Sequence, residues 1–415
     1  MSTIAKFDPA LNVRHQKSKT WNVIFFIAII TSFLFLTALL FNILNDTFGF
    51  VIIEYETPPQ SLTYENKHYT ELSTQELRLF LEENLPGRRF RALEREKPFE
   101  NRDKSELITI IEREILNPSI YKSYSLVASM FARKAIQQEF DEAPEGSVLM
   151  FRSWISRDML LNPQSDNALE TGIRTALLGS VFTVLIAIIF SIPLGIAASV
   201  WMEEYLNPKS KLNTILTLNI YNLAGVPSII YGMLGLAVFV RFLEPITSGA
   251  LFNAASDEVK NGRTILSAGL TLGILILPVI IVNTREAIRA VPGSLRHASI
   301  AVGATKLDTI FHHVLPACFD RILTGAIFAM ARVLGETAPL IIIGASTFIS
   351  QDPTSLFSKF TTLPIQIYQW TSRPQKEFHN LAAGAIVILM ILMIILNGTA
   401  IVLRNRINAR KEAYR

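Results

Sequence analysis

The chain has 415 residues, of which 50% are hydrophobic and only 18% are charged. This balance is too apolar for an ordinary soluble domain and indicates an integral membrane protein. The formal net charge of +4 is not accompanied by a basic aromatic surface, so a nucleic-acid-binding protein is excluded and the excess of base is attributed to membrane topology. The single cysteine, Cys318, excludes an intramolecular disulfide.

Six membrane spans are predicted. Five uncharged runs exceed the about 20 residues needed to cross the hydrocarbon of a bilayer: Thr20–Asn45, Thr175–Met202, Leu212–Val240, Thr264–Thr284 and Phe378–Leu403. A sixth run, Ile322–Ser346, is interrupted by Arg332 and Glu336. Since lipid cannot satisfy bare backbone groups, all six spans are predicted to be helices. Three prolines are expected to kink them: Pro193, Pro227 and Pro278.

Basic residues orient these spans. They precede the first span, separate the fourth from the fifth and follow the sixth: Lys6, Arg14, Lys17, Lys19; Arg285, Arg289, Arg296, Lys306, Arg321; Arg404, Arg406, Arg410, Lys411 and Arg415. The positive-inside rule makes this side, with both termini, cytoplasmic. The predicted parts are a tail with the first span (1–45), an extracytoplasmic insert (46–170), a five-helix core (171–404) and a basic cytoplasmic tail (405–415).

The insert carries 22 acidic and 15 basic residues, a net charge of −7, and is long enough to fold as a small domain. A capping-box pattern of Ser73 and Glu76 starts one predicted helix, and Ser105–Leu116 and Ile120–Phe140 are predicted to form two more. Arg88–Lys104 is predicted to be irregular. This mainly helical insert is interpreted either as a solvated cap or spacer, or as a docking surface for an extracytoplasmic partner.

The polar segment 285–316 lies between the fourth and fifth spans. It is predicted to form two short helices that are divided at Pro292-Gly293 and stopped by Leu315-Pro316. A charged, helical loop between two apolar spans is typical of a docking loop on a transport channel. Between the second and third spans, Glu203 and Glu204 are predicted to lie in a short cytoplasmic turn, either solvated or bound to a basic patch of a partner.

The loop resembles a known signature. His297-Ala298-Ser299, Gly303 and Leu315-Pro316 are similar in spacing to the E-A-A-x3-G-x9-I-x-L-P motif of ABC importer permeases, with His297 in place of the glutamate. In that family the motif opens a coupling helix that seats in a groove of the ATPase, and its glycine makes a tight turn. The resemblance implies that seven residues couple this chain to an ATPase: His297, Ala298, Ser299, Gly303, Ala304, Leu315 and Pro316.

Three further segments indicate a particular group of ABC importer permeases. Residues 202–205 (MEEY), 222–232 (NLAGVPSIIYG) and 332–339 (RVLGETAP) look like the PstA-type permeases of phosphate-specific ABC importers. The likeness is close over 172–404 and leaves the insert outside. It implies an all-α permease with six transmembrane helices of the type I importer class, located in the bacterial inner membrane.

The resemblance also implies the partners. They are a homologous permease subunit that completes a heterodimer, two ATPase subunits that bind ATP and Mg²⁺, and an extracytoplasmic phosphate-binding protein that delivers inorganic phosphate. No G-x-x-x-x-G-K-[ST] motif occurs in this chain, so ATP binding by that route is excluded. The chain itself is therefore predicted to be a transport subunit without a cofactor and not an enzyme.

Arg332 and Glu336 carry the predicted substrate chemistry. They are four residues apart, so on a helix they share one face and can pair. An arginine at the centre of a bilayer costs about 2.5–3.5 kcal/mol on insertion scales and usually faces a bundle interior or an aqueous path. Two interpretations of these residues are open. Either they form an ion pair that stabilises helix packing, or the guanidinium lines the anion path and is restrained by the carboxylate. Glu336 is further hypothesised to accept a hydrogen bond from protonated phosphate, which sulfate cannot donate.

Several alternatives remain open. The chain is either the PstA-type subunit, its sister phosphate permease, or a permease for sulfate or molybdate. A sensor subunit that reports phosphate status through the insert, and an ion-gradient carrier, are alternatives of another class. A membrane enzyme is the least favoured, because no convergent acid, base or metal set is visible, and the adjacent His312 and His313 would point in different directions on a helix.

Overall fold

The structure is a computed structural model that describes residues 11–57, 59, 62–64, 67–252, 261–346 and 348–413. Two ends of the predicted cytoplasmic tails lie outside the described residues, namely 1–10 with Lys6 and 414–415 with Arg415.

Helices make up most of the described chain, and in chain order they are α1 (Leu11–Thr47), α2 (Thr74–Asn84), α3 (Gly87–Glu96), α4 (Lys104–Ile111), α5 (Leu126–Phe131), α6 (Arg133–Asp141), α7 (Arg157–Leu161), α8 (Arg174–Val200), α9 (Lys211–Ala224), α10 (Ser228–Gly235), α11 (Glu244–Thr247), α12 (Ile265–Arg289), α13 (Gly293–Ala301), α14 (Lys306–Thr309), α15 (Leu315–Leu334), α16 (Ala338–Ile343), α17 (Leu363–Thr371) and α18 (Lys376–Ala413). The strands are β1 (Phe48–Tyr55), β2 (Thr63–Tyr64), β3 (Lys67–His68), β4 (Pro118–Ser123) and β5 (Val148–Ser153). Short π-helical turns follow α4, α8, α10 and α14.

Five helices of the described residues are long and apolar enough to cross a membrane, and six spans result when the bent pair α9 and α10 is counted as one. With that count the prediction of six spans is confirmed. The pair bends by 101° across Gly225–Pro227, so the prediction of one kinked helix over Leu212–Val240 underestimated the break. Pro193 and Pro278, by contrast, lie inside the continuous helices α8 and α12.

The fifth span is also broken. Helix α15 ends at Leu334, and the short α16 begins at Ala338 after three intervening residues, so the prediction of one continuous helix over Ile322–Ser346 is wrong. Gly335 caps α15. Pro339 lies in the first turn of α16, where a backbone N–H would have no acceptor within the helix, so the proline costs no hydrogen bond. The core of this bundle is built from α8, α12, α15 and α16, with Leu272, Ile276 and Val333 among its buried side chains.

The predicted stop at Leu315-Pro316 is wrong. Residues Lys306–Leu334 form one continuous helical span, in which a π-helical turn, Ile310–Val314, leads directly into α15. A proline inside a helix normally clashes with the carbonyl four residues earlier. Pro316 follows the wider π turn, which changes the position of that carbonyl, and Pro316 lies in the first turn of α15.

The two broken spans pack against each other at Gly232 of α10. A Cβ atom placed at Gly232 would lie 2.6 Å from the Cα atom of Pro339 in α16. This separation is far below van der Waals contact and involves backbone, which cannot move aside as a flexible side chain would. The contact therefore requires glycine.

We expect Gly232→Ala to destabilise the protein by about 1–3 kcal/mol, the usual cost of overpacking a tight core. The measurement is the thermal unfolding midpoint of the detergent-purified protein. Gly398→Ala is the matched control, because no atom lies within 4 Å of a Cβ at that helical glycine. Equal midpoints for the two variants would contradict the close contact.

The insert contains a sheet that the residue pattern did not predict. Strand β1 continues directly from α1 and is the centre of an antiparallel sheet with the order β4-β1-β5. Helices α2, α3 and α4 enclose a separate apolar core. Two local predictions are wrong: Arg88–Lys104 contains helix α3, and Ile120–Phe140 begins in strand β4 before it becomes α5 and α6.

The predicted capping box of α2 is confirmed. The backbone N–H of Glu76 donates to the Ser73 hydroxyl, and the N–H of Ser73 donates to the Glu76 carboxylate at 2.6 Å. Together with the Lys67 ammonium, these bonds lower the pKa of Glu76 to about 2.

Ser73→Ala is expected to lower the stability of the first turn of α2 by about 1 kcal/mol, the typical contribution of an N-cap side chain. Amide hydrogen exchange in α2 should then be roughly fivefold faster if α2 opens locally. The exchange of α4 in the same sample serves as the internal control. Unchanged exchange in α2 would show that the cap does not limit its opening.

Candidate functional site

The loop between α12 and α15 folds into a compact helical hairpin. Helix α13 ends in a Schellman motif: Gly303 adopts the left-handed conformation (φ 91°), and the N–H groups of Gly303 and Ala304 donate to the carbonyls of Ile300 and Ser299 at 3.0 and 3.2 Å. A capping box of Thr305 and Asp308 then starts α14. The predicted division at Pro292-Gly293 and the tight turn at Gly303 are confirmed.

The seven residues that resemble the coupling signature occupy different environments. His297 and Ala298 are exposed on α13, whereas Ser299 is buried, where its hydroxyl is 2.9 Å from that of Thr309 on α14. Ala304 is half-buried in the turn, and Leu315 and Pro316 lie at the start of α15. The tip of the hairpin exposes apolar side chains to solvent: Ile300, Val302, Leu307 and Phe311. Val302 is 85% exposed.

Glu203 and Glu204 form ion pairs within the chain, Glu204 with the hairpin and Glu203 with the end of α12, so the prediction of a solvated or partner-bound turn is wrong. The Glu204 carboxylate accepts two bonds from the Arg296 guanidinium of α13, at 2.8 and 2.9 Å. Arg296 also donates to the carbonyls of Val291 and Ile288. The next residue, Tyr205, lies under the ammonium of Lys306 at 5.0 Å from its ring centre. The end of the second span therefore holds both α13 and α14.

Besides the Glu204–Arg296 pair, a second ionic cluster surrounds Glu203. The Glu203 carboxylate accepts from Arg285 at 2.6 Å and from Arg289 at 2.8 Å, both at the end of α12. Arg285 is 4% exposed, and it also donates to Thr217 at 2.9 Å and to Asn213 at 3.3 Å in α9. This cluster connects the second, third and fourth spans.

Asn213 and Thr217 were not identified from the sequence. The one available signal was a pair of polar residues at helical spacing on an otherwise apolar span, which indicates a buried polar partner because membrane helices place such residues inward. The partner, Arg285, is 68 and 72 residues away in the chain, so the sequence could not name it.

Arg332 lies in the last turn of α15, directly before the break in the fifth span. Its side chain is exposed, on the same face as Phe328 one turn earlier, and it therefore points away from this chain's own core. Tyr231 of α10 lies within electrostatic range of its guanidinium. The Tyr231 hydroxyl donates to the carbonyl of Leu223 at 2.7 Å and so bridges the break between α9 and α10. Arg332 is thus close to both broken spans.

Glu336 lies in the break itself and not on the helix of Arg332. Within the described residues no ion pair or hydrogen bond joins the two side chains, so the pairing that their spacing would allow on one helix does not form in this chain. Glu336 lines a small internal cavity with the hydroxyl residues Ser180, Thr183 and Thr362. Its water-accessible space of about 10 Å³ is close to the minimum for one water molecule. The buried Thr362 hydroxyl has no hydrogen-bond partner among the described residues.

No group of three or more His, Cys, Asp or Glu residues that could hold a metal ion occurs within the described part of the chain. His312 and His313 lie in the π-helical turn before α15 and not in a loop. The Nδ1 atom of His312 is 3.1 Å from the carbonyl of Asp308.

Comparison with known proteins gives consistent results. The family described as binding-protein-dependent transport system inner membrane component matches residues 191–412, a range that begins after the insert. The phosphate transport system permease protein PstA of Xylella fastidiosa is 34% identical over 239 residues, which cover 57% of this chain and 76% of that protein. PstA 1 of Mycobacterium tuberculosis is 32% identical over 234 residues, covering 56% and 70%.

Two further similar proteins have names that do not specify phosphate. The probable ABC transporter permease YqgI of Bacillus subtilis is 30% identical over 260 residues, covering 60% of this chain and 83% of that protein. Among solved structures, a chain of a bacterial alginate ABC transporter aligns with a TM-score of 0.44 and 14% identity, covering 68% of this chain and 91% of that one. From the matched family and the relatives, the chain belongs to the binding-protein-dependent inner membrane components, the multi-pass permeases of ABC importers.

Proposed function

We propose that this permease forms one half of the translocation path of an ATP-driven importer of inorganic phosphate. The second half is a homologous permease subunit, so the path lies between two similar chains. Two ATPase subunits bind ATP and Mg²⁺ on the cytoplasmic side, where both termini of this chain lie, and an extracytoplasmic binding protein delivers phosphate. The names of the relatives PstA and PstA 1 support the choice of phosphate.

The position of Arg332 carries the proposal. A guanidinium in a membrane-spanning helix must face protein or water and not lipid, because the cost of exposing it to hydrocarbon is several kcal/mol. Arg332 faces away from the core of its own chain, so its surroundings must come from a second subunit and from the water between the two. A planar guanidinium at such a place offers two parallel donors to a tetrahedral oxyanion.

The broken spans support the same location. Non-helical backbone at membrane depth is tolerated only where protein buries it or where it lines an aqueous cavity. The breaks at Gly225–Pro227 and Gly335–Thr337 are brought together by the packing of α10 on α16. Binding sites of transporters are commonly built at such interruptions. The break therefore offers a passage beside Arg332 that a continuous helix would close.

The hairpin of α13 and α14 is the proposed contact with the ATPase. Its tip presents Val302 and three other apolar side chains to solvent, and an apolar tip rimmed by polar residues is typical of a protein interface. Its base is tied to the second span by the ion pair of Arg296 with Glu204, and to the fourth span by the bond that Arg296 donates to the carbonyl of Ile288. Movement of the ATPase can thus reach the spans through fixed contacts.

The direct test is transport by the purified assembly in vesicles. We expect uptake of labelled phosphate that requires ATP and the binding protein, together with ATP hydrolysis that phosphate-loaded binding protein stimulates. Sulfate or molybdate in place of phosphate would assign the chain to another oxyanion. Uptake driven by an ion gradient without any ATPase would overturn the proposal.

The contact with the ATPase is tested separately by crosslinking. In a Cys318→Ala background, Val302→Cys carries a photoreactive label at the hairpin tip, and Leu79→Cys carries the same label on the exposed surface of α2 in the insert. We expect the label at 302 to capture the nucleotide-hydrolysing subunit and the label at 79 not to capture it. Failure of the label at 302 in an assembly that hydrolyses ATP would exclude this docking mode.

Glu336 is proposed to favour phosphate over sulfate. A carboxylate accepts the hydrogen bond that protonated phosphate donates and that sulfate cannot donate, and a lost hydrogen bond to a charged group is worth about 1.5–3 kcal/mol. Glu336→Gln is therefore expected to reduce the ratio of phosphate to sulfate uptake by about tenfold or more. Competition between the two labelled anions in vesicles measures the ratio. An unchanged ratio would remove Glu336 from the selection of substrate.

A further inference from the structure

The insert carries an unpartnered apolar face on the short helix α5. Val127, Met130 and Phe131 follow the spacing i, i+3, i+4 and therefore lie on one side of the helix. They are 37%, 66% and 84% exposed. The opposite side faces the protein, where Ser129 is buried and its hydroxyl accepts from the backbone N–H of Phe50 at 2.8 Å. The helix is thus held by its polar side and presents its apolar side outward.

Two membrane spans locate α5 at the membrane boundary. Val127 donates its backbone N–H to the side chain of Asn45 at 2.8 Å, at the end of the apolar run of α1. The ammonium of Lys376, at the start of α18, donates to the carbonyl of Ser123 just before α5, at 3.1 Å. Asn380 of α18 donates to the carbonyl of Asp46 at 2.8 Å, so the two spans end at the same level.

The apolar face continues the surface of the first span. Phe41 and Leu44 of α1, shortly before Asn45, are exposed, so the outward face of α5 lies beside a surface that already requires lipid or a membrane partner. Phe151 of β5 extends the face: it is 53% exposed and packs edge-on against Phe50, with ring centres 5.6 Å apart.

Cations adjoin this face on its other side. The Arg133 guanidinium lies over the Phe50 ring at 5.9 Å, and Lys134 beside it is exposed. Aromatic and aliphatic side chains next to lysine and arginine are the composition of segments that lie in the headgroup region, where the apolar atoms enter the acyl boundary and the cations meet lipid phosphates. A docking site for another protein would not require cations at the level of the span ends.

We propose that α5, with Phe151, is an interfacial anchor that inserts into the headgroup region of the leaflet on the insert's side of the membrane. The occupant of this face is lipid. The anchor attaches the insert directly to lipid, in addition to its chain connections to α1 and α8 and its hydrogen bond with Lys376 of α18. The proposal does not depend on which solute is transported.

Spin labels test the anchor. In a Cys318→Ala background, Phe131→Cys and, separately, Met130→Cys carry a nitroxide, and Leu79→Cys on the exposed side of α2 is the matched control. The full-length chain, purified in its assembly, is returned to vesicles of phosphatidylethanolamine and phosphatidylglycerol. We expect the ratio of collision rates with oxygen and with a water-soluble nickel complex to be several-fold higher at 130 and 131 than at 79.

Two outcomes would overturn the anchor. Labels at 130 and 131 that meet the nickel complex as often as the label at 79 would place the face in water. Labels that are shielded from both oxygen and nickel, with immobilised spectra, would show that a protein covers the face instead of lipid. Quenching by doxyl lipids, applied to a fluorophore at 131, gives an independent measure of depth.

Discussion

Replacement of Arg332 by alanine is expected to reduce phosphate uptake to background while the assembly stays intact. The guanidinium is the one strong anion-binding group that we assign to the path from this chain, and two charge-assisted hydrogen bonds of about 1.5–3 kcal/mol each correspond to a loss of at least about a hundredfold. Because Arg332 is exposed in its own chain, its removal leaves no cavity in the core. Uptake by vesicles and basal ATP hydrolysis are measured on the same preparation.

Two further variants test whether the loss of uptake depends on the guanidinium group and on its position at 332. Arg332→Lys keeps the charge but loses the planar fork, so we expect uptake between that of the alanine variant and the unchanged protein. Arg241→Ala removes an exposed guanidinium from the end of another span and should transport normally. An alanine variant at 332 that transports at the unchanged rate would rule out a role of this residue in the path.

Replacement of Glu203 by alanine is expected to have the largest effect on stability. The Arg285 and Glu203 side chains are only 5% and 12% exposed, so the substitution leaves a buried guanidinium without its counter-ion. Removing one partner of a buried pair costs about 3–5 kcal/mol. We expect a markedly lower thermal midpoint in detergent and loss of the stimulation of ATP hydrolysis by loaded binding protein.

The control for this effect is an exposed pair. Arg78 and Glu100 are 41% and 75% exposed, and Glu100→Ala should change stability by less than about 1 kcal/mol, as surface pairs do. The double variant Glu203→Ala/Arg285→Met removes both charges and should recover part of the loss, because no buried charge remains unpaired. A Glu203→Ala variant that unfolds at the unchanged temperature would contradict the burial of this cluster.

Local features of the fold could be predicted from the residues. The apolar runs located the second, third, fourth and sixth spans within about five residues, because the bilayer imposes their length. The fifth span was misplaced, since its first half, from Lys306, carries polar and charged residues. The Ser73 capping box was readable for a similar reason, since it depends on residues three positions apart. The turn at Gly303, by contrast, was implied by the resemblance to the coupling signature.

Features that depend on distant residues could not be predicted. Strand β1 reads as a short apolar run without alternation, and its partners β4 and β5 lie about 70 and 100 residues further along the chain, so nothing local distinguishes it from a helix end. The hydrogen bond that Arg285 donates to Glu203 joins residues 82 positions apart in the chain. The end of α15 at Leu334 separates Arg332 from Glu336, although their spacing is ideal for a helical pair.

The uninterrupted helix from Lys306 to Leu334 gives the molecule a lever arm. Its near end is the second half of the hairpin, and its far end bears Arg332. At 1.5 Å per residue these points are about 39 Å apart, so a tilt of about 10° at the near end would carry the guanidinium through about 7 Å. A displacement of that size exceeds the diameter of a water molecule. It is enough to move an anion bound by the guanidinium from one set of hydrogen-bonding groups to another. On the proposed function, a small rotation of the ATPase at the hairpin would thus produce a larger displacement at Arg332 through one continuous helical span.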